Sequence, residues 1–198
     1  MKAKKGLNMN KGISLNLYRF LDIFIFSFIG LIFEYLAYKI LSVYDYPYFS
    51  ISLIVLISSL IMMRWNKYSF IYPFISGIFY VFLNKGNIIN YFIYGFGNMF
   101  ILFNLLFLNK KRKDIKNNSF INSFYITNSF LLVCFGRSIV SIFFENSFID
   151  SFVSFLGTES LNFVFTLIIL NIIRKIEGLY EDQVEYIKRI KLEVKYGT

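Results

Sequence analysis

Apolar runs of about 20 residues recur along this chain with few charges inside them, and that is the length a helix needs to cross about 30 Å of hydrocarbon. In lipid every backbone N–H and C=O must be satisfied within the protein, which restricts spanning structures to helices and closed barrels. Four runs qualify outright, at residues 20–41, 88–108, 120–144 and 152–173. Residues 48–63 and 68–83 are shorter, about sixteen residues each. The second of these carries Pro73 and Gly77, which predict a kinked or partly unwound helix shielded by its neighbours. The expected fold class is all-α, an integral membrane bundle of six transmembrane helices. Composition agrees, with 57% of the 198 residues hydrophobic and 17% charged, against about 25% charged in soluble domains.

Loop charge sets the orientation, because Lys and Arg near span ends stay on the cytoplasmic side. All but three of the 21 Lys and Arg fall on alternating, hence same-side, connections. These are the stretch before the first span, Arg64 and Lys67, the run of Lys110, Lys111, Arg112, Lys113 and Lys116, and the segment after the sixth span. Lys39 and Lys85 lie on the other side, and Arg137 sits inside span five. Both termini are therefore expected in the cytoplasm, with the chain in a bacterial plasma membrane. Residues 1–175 form the expected six-span domain and 176–198 an amphipathic cytoplasmic tail. In that tail Ile176, Leu179, Tyr180, Ile187, Ile190 and Val194 fall near helical spacing, with acids early and bases late. It is expected either to lie on the membrane surface or to touch a cytoplasmic partner. The first span is expected to be retained, since residues 40–44 offer no small-residue cleavage site.

The net charge of +9 needs no nucleic acid to explain it. The lysines flank apolar spans, where they meet anionic headgroups, so membrane lipid is the expected partner. A single cysteine, Cys134, and the absence of histidine exclude a disulfide framework, a Cys/His zinc site, a Ser/His/Asp triad and a Cys/His nucleophile pair. There is no P-loop and no Gly-rich dinucleotide signature. No catalytic residue, metal ligand or cofactor is expected, and any ATP-driven work requires another chain. The 26 Phe and 15 Tyr, alongside many Lys, Asn and Ile, carry the imprint of an AT-rich genome, so aromatic abundance alone marks no stacking site.

Ionisable groups inside a span cost several kcal/mol unless paired or wetted, which makes each a functional candidate. Glu34, Arg137 and Glu159 stand out. On the six-span topology each lies about 10 Å below the outer surface, at 1.5 Å per residue, so two acids and one base share a level. Asn90, Tyr91, Tyr94, Gly95 and Asn98 of span four, Ser76, Gly77 and Tyr80 of span three, and Asn162 of span six fall near that depth. The layer fits a polar pocket opening outward, with Glu34, Arg137, Glu159, Asn162, Tyr94, Asn98 and Asn90 as substrate-binding candidates. It also fits an interhelical salt bridge with Asn residues as glue between helices. The outer connections at residues 42–47, 84–87 and 145–150 could close over a pocket. Tyr44, Tyr46 and Tyr48 equally fit an interfacial aromatic belt, and Arg64, Trp65, Asn66 and Lys67 an interface anchor or partner contact.

The six-span plan, the short third span with Tyr72, Pro73, Phe74, Ile75, Ser76 and Gly77, the Met62, Met63, Arg64, Trp65 turn and the Tyr94, Gly95, Phe96, Gly97, Asn98 segment together resemble the substrate-binding S components of energy-coupling-factor transporters. That resemblance is architectural and covers the whole chain. It implies capture of a vitamin-like organic solute from outside. It also implies docking through the first three spans onto a transmembrane T subunit, with cytoplasmic ATPase subunits powering import. Nickel and cobalt members use an amino-terminal histidine, which this chain lacks. Ser27, Gly30 and Ala37 do not make the four-residue spacing of small residues often seen in the family's first span. Glu34 and Glu159 would suit a cationic group on the solute, Arg137 and Lys85 an anionic one. Two other functions compete. One is an assembly protein recruiting partners through its cytoplasmic surface; the other is a membrane enzyme using Glu34 and Glu159 as an acid/base pair, without an accompanying nucleophile.

Overall fold

The structure is a computed structural model describing residues 14–44 and 50–196. Among these residues every regular element is helical: α1 (Leu15–Tyr44), α2 (Ile54–Trp65), α3 (Ile71–Leu83), α4 (Ile88–Asn98), α5 (Leu105–Asn117), α6 (Ser119–Ile142), α7 (Phe148–Thr158), α8 (Ser160–Ile173) and α9 (Gln183–Tyr196). Short 3-10 turns at Asn66–Phe70 and Met99–Asn104 lead into α3 and α5. Three helical stretches are long and apolar enough to cross a membrane: Leu15–Val43, Ile88–Asn117 (α4, the Met99–Asn104 turn and α5 together), and Ser119–Ile142. The pair α7 and α8, bent by 51°, makes a fourth if it is one crossing. Tyr46, Tyr48 and the first four basic residues, Lys2, Lys4, Lys5 and Lys11, lie outside the described residues, as does part of the 42–47 connection.

The packing is apolar outside and polar inside. Phe20, Phe24, Phe28, Ile88 and Phe120 are more than half exposed, whereas Asn98, Asn104, Asn122, Ser129 and Ser138 are fully buried. That inverts a water-soluble fold and suits a chain whose solvent is lipid. Asn104 Nδ2 donates to the Tyr125 carbonyl at 2.9 Å and to Ser129 Oγ at 2.6 Å, and Asn128 Nδ2 donates to Asn104 Oδ1 at 2.7 Å. These bonds join α6 to the Met99–Asn104 turn halfway along the bundle.

At the centre lies α2, all twelve of whose residues are buried. It packs against α1, α3, α5, α6, α8 and α9. Its helix starts at Ile54 rather than near residue 48, because Ser50 and Ser52 offer the backbone side-chain partners that compete with a helix. The Ile54 amide donates to Ser52 Oγ at 3.1 Å. After α2 the chain reverses at Asn66, whose φ of 54° and ψ of −125° match the first central position of a type II′ turn, which Gly, Asn and Asp favour. Of the kinked or partly unwound helix expected over residues 68–83, the first residues are a 3-10 turn ending at Phe70, while α3 runs through Pro73 and Gly77 without a break. Pro73 falls in the first turn of α3, where its missing N–H has no intrahelical acceptor to lose. Gly77 serves close packing instead, since a Cβ there would strike the Tyr94 carbonyl of α4. The basic run after residue 108 is helical as far as Asn117 except for a kink at Lys111, whose φ of −128° and ψ of 15° leave the helical region, and Asn118 alone separates it from α6, accepting from the Phe120 and Ile121 amides.

The tail folds back onto the end of the bundle that carries the basic residues. Arg174 Nη1 donates to the carbonyls of Lys116 and Asn117 at the end of α5. Gly178 takes a positive φ of 75°, which turns the chain and breaks the helical pattern of residues 176–194 before α9 begins. Tyr180 is fully buried and its hydroxyl donates to Asn122 Oδ1 at 2.9 Å. Lys116 pairs with Glu181 at 2.7 Å and Arg112 with Asp182. Thus the first part of the tail rests on the bundle itself, while Ile176 and Leu192 stay exposed.

Burial of Glu181 opposes its charge. Hydrogen bonds from Lys116 and the Gly178 amide, with Arg189 nearby, outweigh that and hold its carboxyl below the ordinary glutamate value. A depressed folded-state pKa adds stability above the unfolded value and loses it as pH falls through the folded one. Tail docking is therefore expected to hold at neutral pH and to weaken only below the ordinary glutamate range of about 4.3. Amide hydrogen exchange across residues 176–190 measures this, and protection that stays constant through that range contradicts it.

Candidate functional site

The ionisable groups of the apolar spans meet through close backbone packing. At the crossing of α4 and α6, Gly97 and Gly136 face each other: a Cβ on Gly97 would come within 2.6 Å of Arg137 Cα, and one on Gly136 would strike the Gly97 carbonyl. This contact sets Asn98 beside Arg137. Arg137 Nε donates to Asn98 Oδ1 at 2.7 Å, and Asn98 Nδ2 donates to the Pro73 carbonyl at 3.3 Å. Arg137 Nη1 donates to Glu159 Oε1 at 2.6 Å. The guanidinium also lies 4.5 Å from the ring centroid of Tyr94 and 5.7 Å from that of Phe155, a cation–π arrangement strengthened by desolvation.

Glu159 stands at the break between α7 and α8. A helix break frees backbone groups that need other partners in a membrane. The Thr158 carbonyl receives the Ser50 amide at 3.1 Å. Asn162, one turn into α8, donates from Nδ2 to Glu159 Oε2 and to Ser50 Oγ at 3.2 Å, while its Oδ1 accepts the Ser52 amide at 2.8 Å. Ser52 Oγ in turn donates to Glu34 Oε1, which also accepts the Leu53 amide at 3.1 Å. One chain of hydrogen bonds therefore runs from Asn98 through Arg137, Glu159, Asn162 and Ser52 to Glu34, joining α4, α6, α8 and α1. Arg137 is 1% exposed, Glu34 2% and Glu159 6%.

Two unwound places, residues 50–53 and the break at Glu159, supply most of the backbone groups in this layer. Glu34 presents a carboxylate to the amino-terminal end of α2, where unpaired amides and the helix dipole favour negative charge. Tyr94 and Tyr80 flank the layer with ring centroids 4.9 Å apart.

Six of the seven candidates are thus brought together: Glu34, Arg137, Glu159, Asn162, Asn98 and Tyr94. Asn90 is placed apart. Its backbone N–H donates to Oδ1 of the capping residue Asn87 at 3.0 Å in the first turn of α4, and it is not a member of the network. Ser52 has no place among the candidates of the sequence, although a serine just before an apolar run is a recognisable cap signal.

A second ionic cluster, overlooked in the sequence, occupies the basic end. Asp22 of α1 accepts from Arg64 Nε at 2.7 Å, Arg64 Nη2 at 2.6 Å and the Trp65 indole N–H. Arg64 Nη1 reaches the carbonyls of Gly178 and Leu179, both at 2.8 Å. Arg64 is 4% exposed, so it is a buried hub between α1, α2 and the tail, not a surface anchor. An acid inside an apolar run was the available signal for Asp22, as it was for Glu34.

Compared with protein-family models, curated proteins and solved structures, the chain has no match.

Proposed function

We propose that this chain is a six-span membrane protein with both ends in the cytoplasm that captures a small organic solute from outside, as the S components of energy-coupling-factor transporters do. On this reading it resides in a bacterial plasma membrane and performs no chemistry. A transmembrane T subunit and cytoplasmic ATPase subunits would supply the driving force.

The supporting observation is the irregular backbone at residues 50–53 and at Glu159, gathered around one buried layer of charge. Discontinuous helices are tolerated at membrane depth only where protein or a cavity surrounds them, and transporters place their binding groups there. The layer offers both signs of charge. A carboxylate on the solute would exchange with Glu159 for the guanidinium of Arg137, and an ammonium group would take up Glu34. Tyr94 and Phe155 offer flat apolar walls.

Protein purified from a micronutrient-rich culture is expected to retain one small organic molecule, seen by native mass spectrometry and confirmed by saturable binding. Asn98→Ala removes one acceptor from Arg137 without removing a charge. It is expected to weaken binding about 10-fold or more, the worth of a hydrogen bond to a charged group, while the protein stays monodisperse. No retained molecule, together with no binding across a vitamin panel, overturns the proposal. That result would favour the alternative of an assembly protein recruiting partners at its cytoplasmic surface. The alternative draws its support from the layer itself, since Glu34, Arg137 and Glu159 each have a partner within the protein.

A further inference from the structure

At the basic end, far along the bundle from the Arg137 layer, the start of α1, the turn after α2 and the start of α9 enclose a cleft of about 230 Å³. Arg19 and Lys67 stand on its walls, with Trp65 and Tyr68 beside them. Arg19 lies with its guanidinium 4.0 Å from the Tyr68 ring centroid and 5.4 Å from that of Trp65, and the Lys67 ammonium is 5.7 Å from Tyr68 on its own approach.

The charges around the cleft do not cancel. Arg64 is neutralised by Asp22. Asp182, the carboxylate on the rim, is taken by Arg112 and also caps α9 by accepting the Val184 and Glu185 amides. Arg19 and Lys67 have no carboxylate partner among the described residues. The Nε of Arg19 is a buried donor without an acceptor, and a buried donor left unmade carries a penalty that an incoming oxygen relieves. Two cations beside an amphipathic aromatic pair, next to a helix whose outer face is apolar, match a phosphodiester at the end of two acyl chains.

We propose that this cleft binds the phosphodiester headgroup of an anionic lipid, with Arg19 and Lys67 as its phosphate ligands and Tyr68 and Trp65 as its floor. The two aromatic faces are already occupied by the protein's own cations, so a choline headgroup finds no cage there. The wall contributed by Asp182 and Val184 makes the site complete only while the tail is docked.

Reconstitution of the full chain into nanodiscs of mixed phosphatidylglycerol and phosphatidylcholine tests this, with retained lipid counted by native mass spectrometry. The wild-type protein is expected to retain phosphatidylglycerol preferentially. A basic side chain near an anionic surface is worth about fivefold in binding, so the double variant R19Q/K67Q is expected to lose preference on the order of 25-fold. The control K188Q/K191Q removes the same charge from exposed positions of α9 and is expected to keep it. Equal losses in both variants mean diffuse surface attraction and overturn the proposal, as does an R19Q/K67Q protein that keeps its preference. Inorganic phosphate and glycerol 3-phosphate in detergent distinguish the source. A thermal shift with either, absent in R19Q/K67Q, assigns the same phosphate chemistry to a free solute, and no shift assigns it to lipid.

Discussion

Replacing Glu159 by Ala is expected to cost about 3–5 kcal/mol of stability, the penalty for leaving one member of a buried ion pair unmatched. Arg137 is 1% exposed, and its remaining contacts after the change would be Asn98 and two aromatic faces. None of these carries negative charge. Asn162 would lose the acceptor of one of its amide hydrogens, and the bent junction of α7 and α8 would lose the residue that ties it to α6. Glu159→Gln keeps an oxygen for Arg137 and is expected to cost less. The double change Arg137→Met, Glu159→Leu is expected to recover most of the loss, because removing both charges also removes the desolvation cost. Thermal midpoints in nanodiscs check the series. A Glu159→Ala protein within about 1 kcal/mol of wild type would mean that water reaches the guanidinium, since exposed pairs are worth only about that much.

The second large effect is expected at Arg64. Arg64→Ala abandons the Asp22 carboxylate inside the bundle and frees the Gly178 and Leu179 carbonyls at once. Its expected cost is also about 3–5 kcal/mol, accompanied by rapid tryptic cleavage after Arg174 or Lys175. Arg64→Lys is not expected to rescue it. A lysine offers a compact ammonium where a planar fork is needed to reach Asp22 on one side and two carbonyls on the other. A tail that stays protease-resistant in Arg64→Ala would transfer the docking role to Tyr180 and the Lys116 and Arg112 pairs.

Much of this architecture follows from spacing along the chain, and the parts that do not follow share one cause. A charge inside an apolar run is costly wherever it lies, so Glu34, Arg137 and Glu159 announce themselves without knowledge of the fold. Their partners are less evident because pairing is long-range: Ser52 reaches Glu34 across eighteen positions, and Arg64 reaches Gly178 across 114. Arg64 beside Trp65 looks like an interface anchor in sequence, since basic and aromatic residues mark span ends; only the folded position of Asp22 makes it a hub. The shortness of α2 has the same origin. Helix length in lipid is read against bilayer thickness, but α2 is surrounded by protein and need not match it. In the tail, a continuous periodic pattern hides the turn at Gly178, because a single glycine with positive φ changes direction without disturbing hydropathy.

The complete enclosure of α2 has a bearing on how the polypeptide is made. At about 18 Å long by its rise per residue, this segment is too short to rest stably across a bilayer of about 30 Å by itself. Four of the helices that enclose it, α5, α6, α8 and α9, leave the ribosome only after α3. On the proposed six-span topology, the nascent chain shelters α2 against α1 and α3, with Glu34 and Asp22 at its two ends, until the downstream half is delivered and shuts the casing.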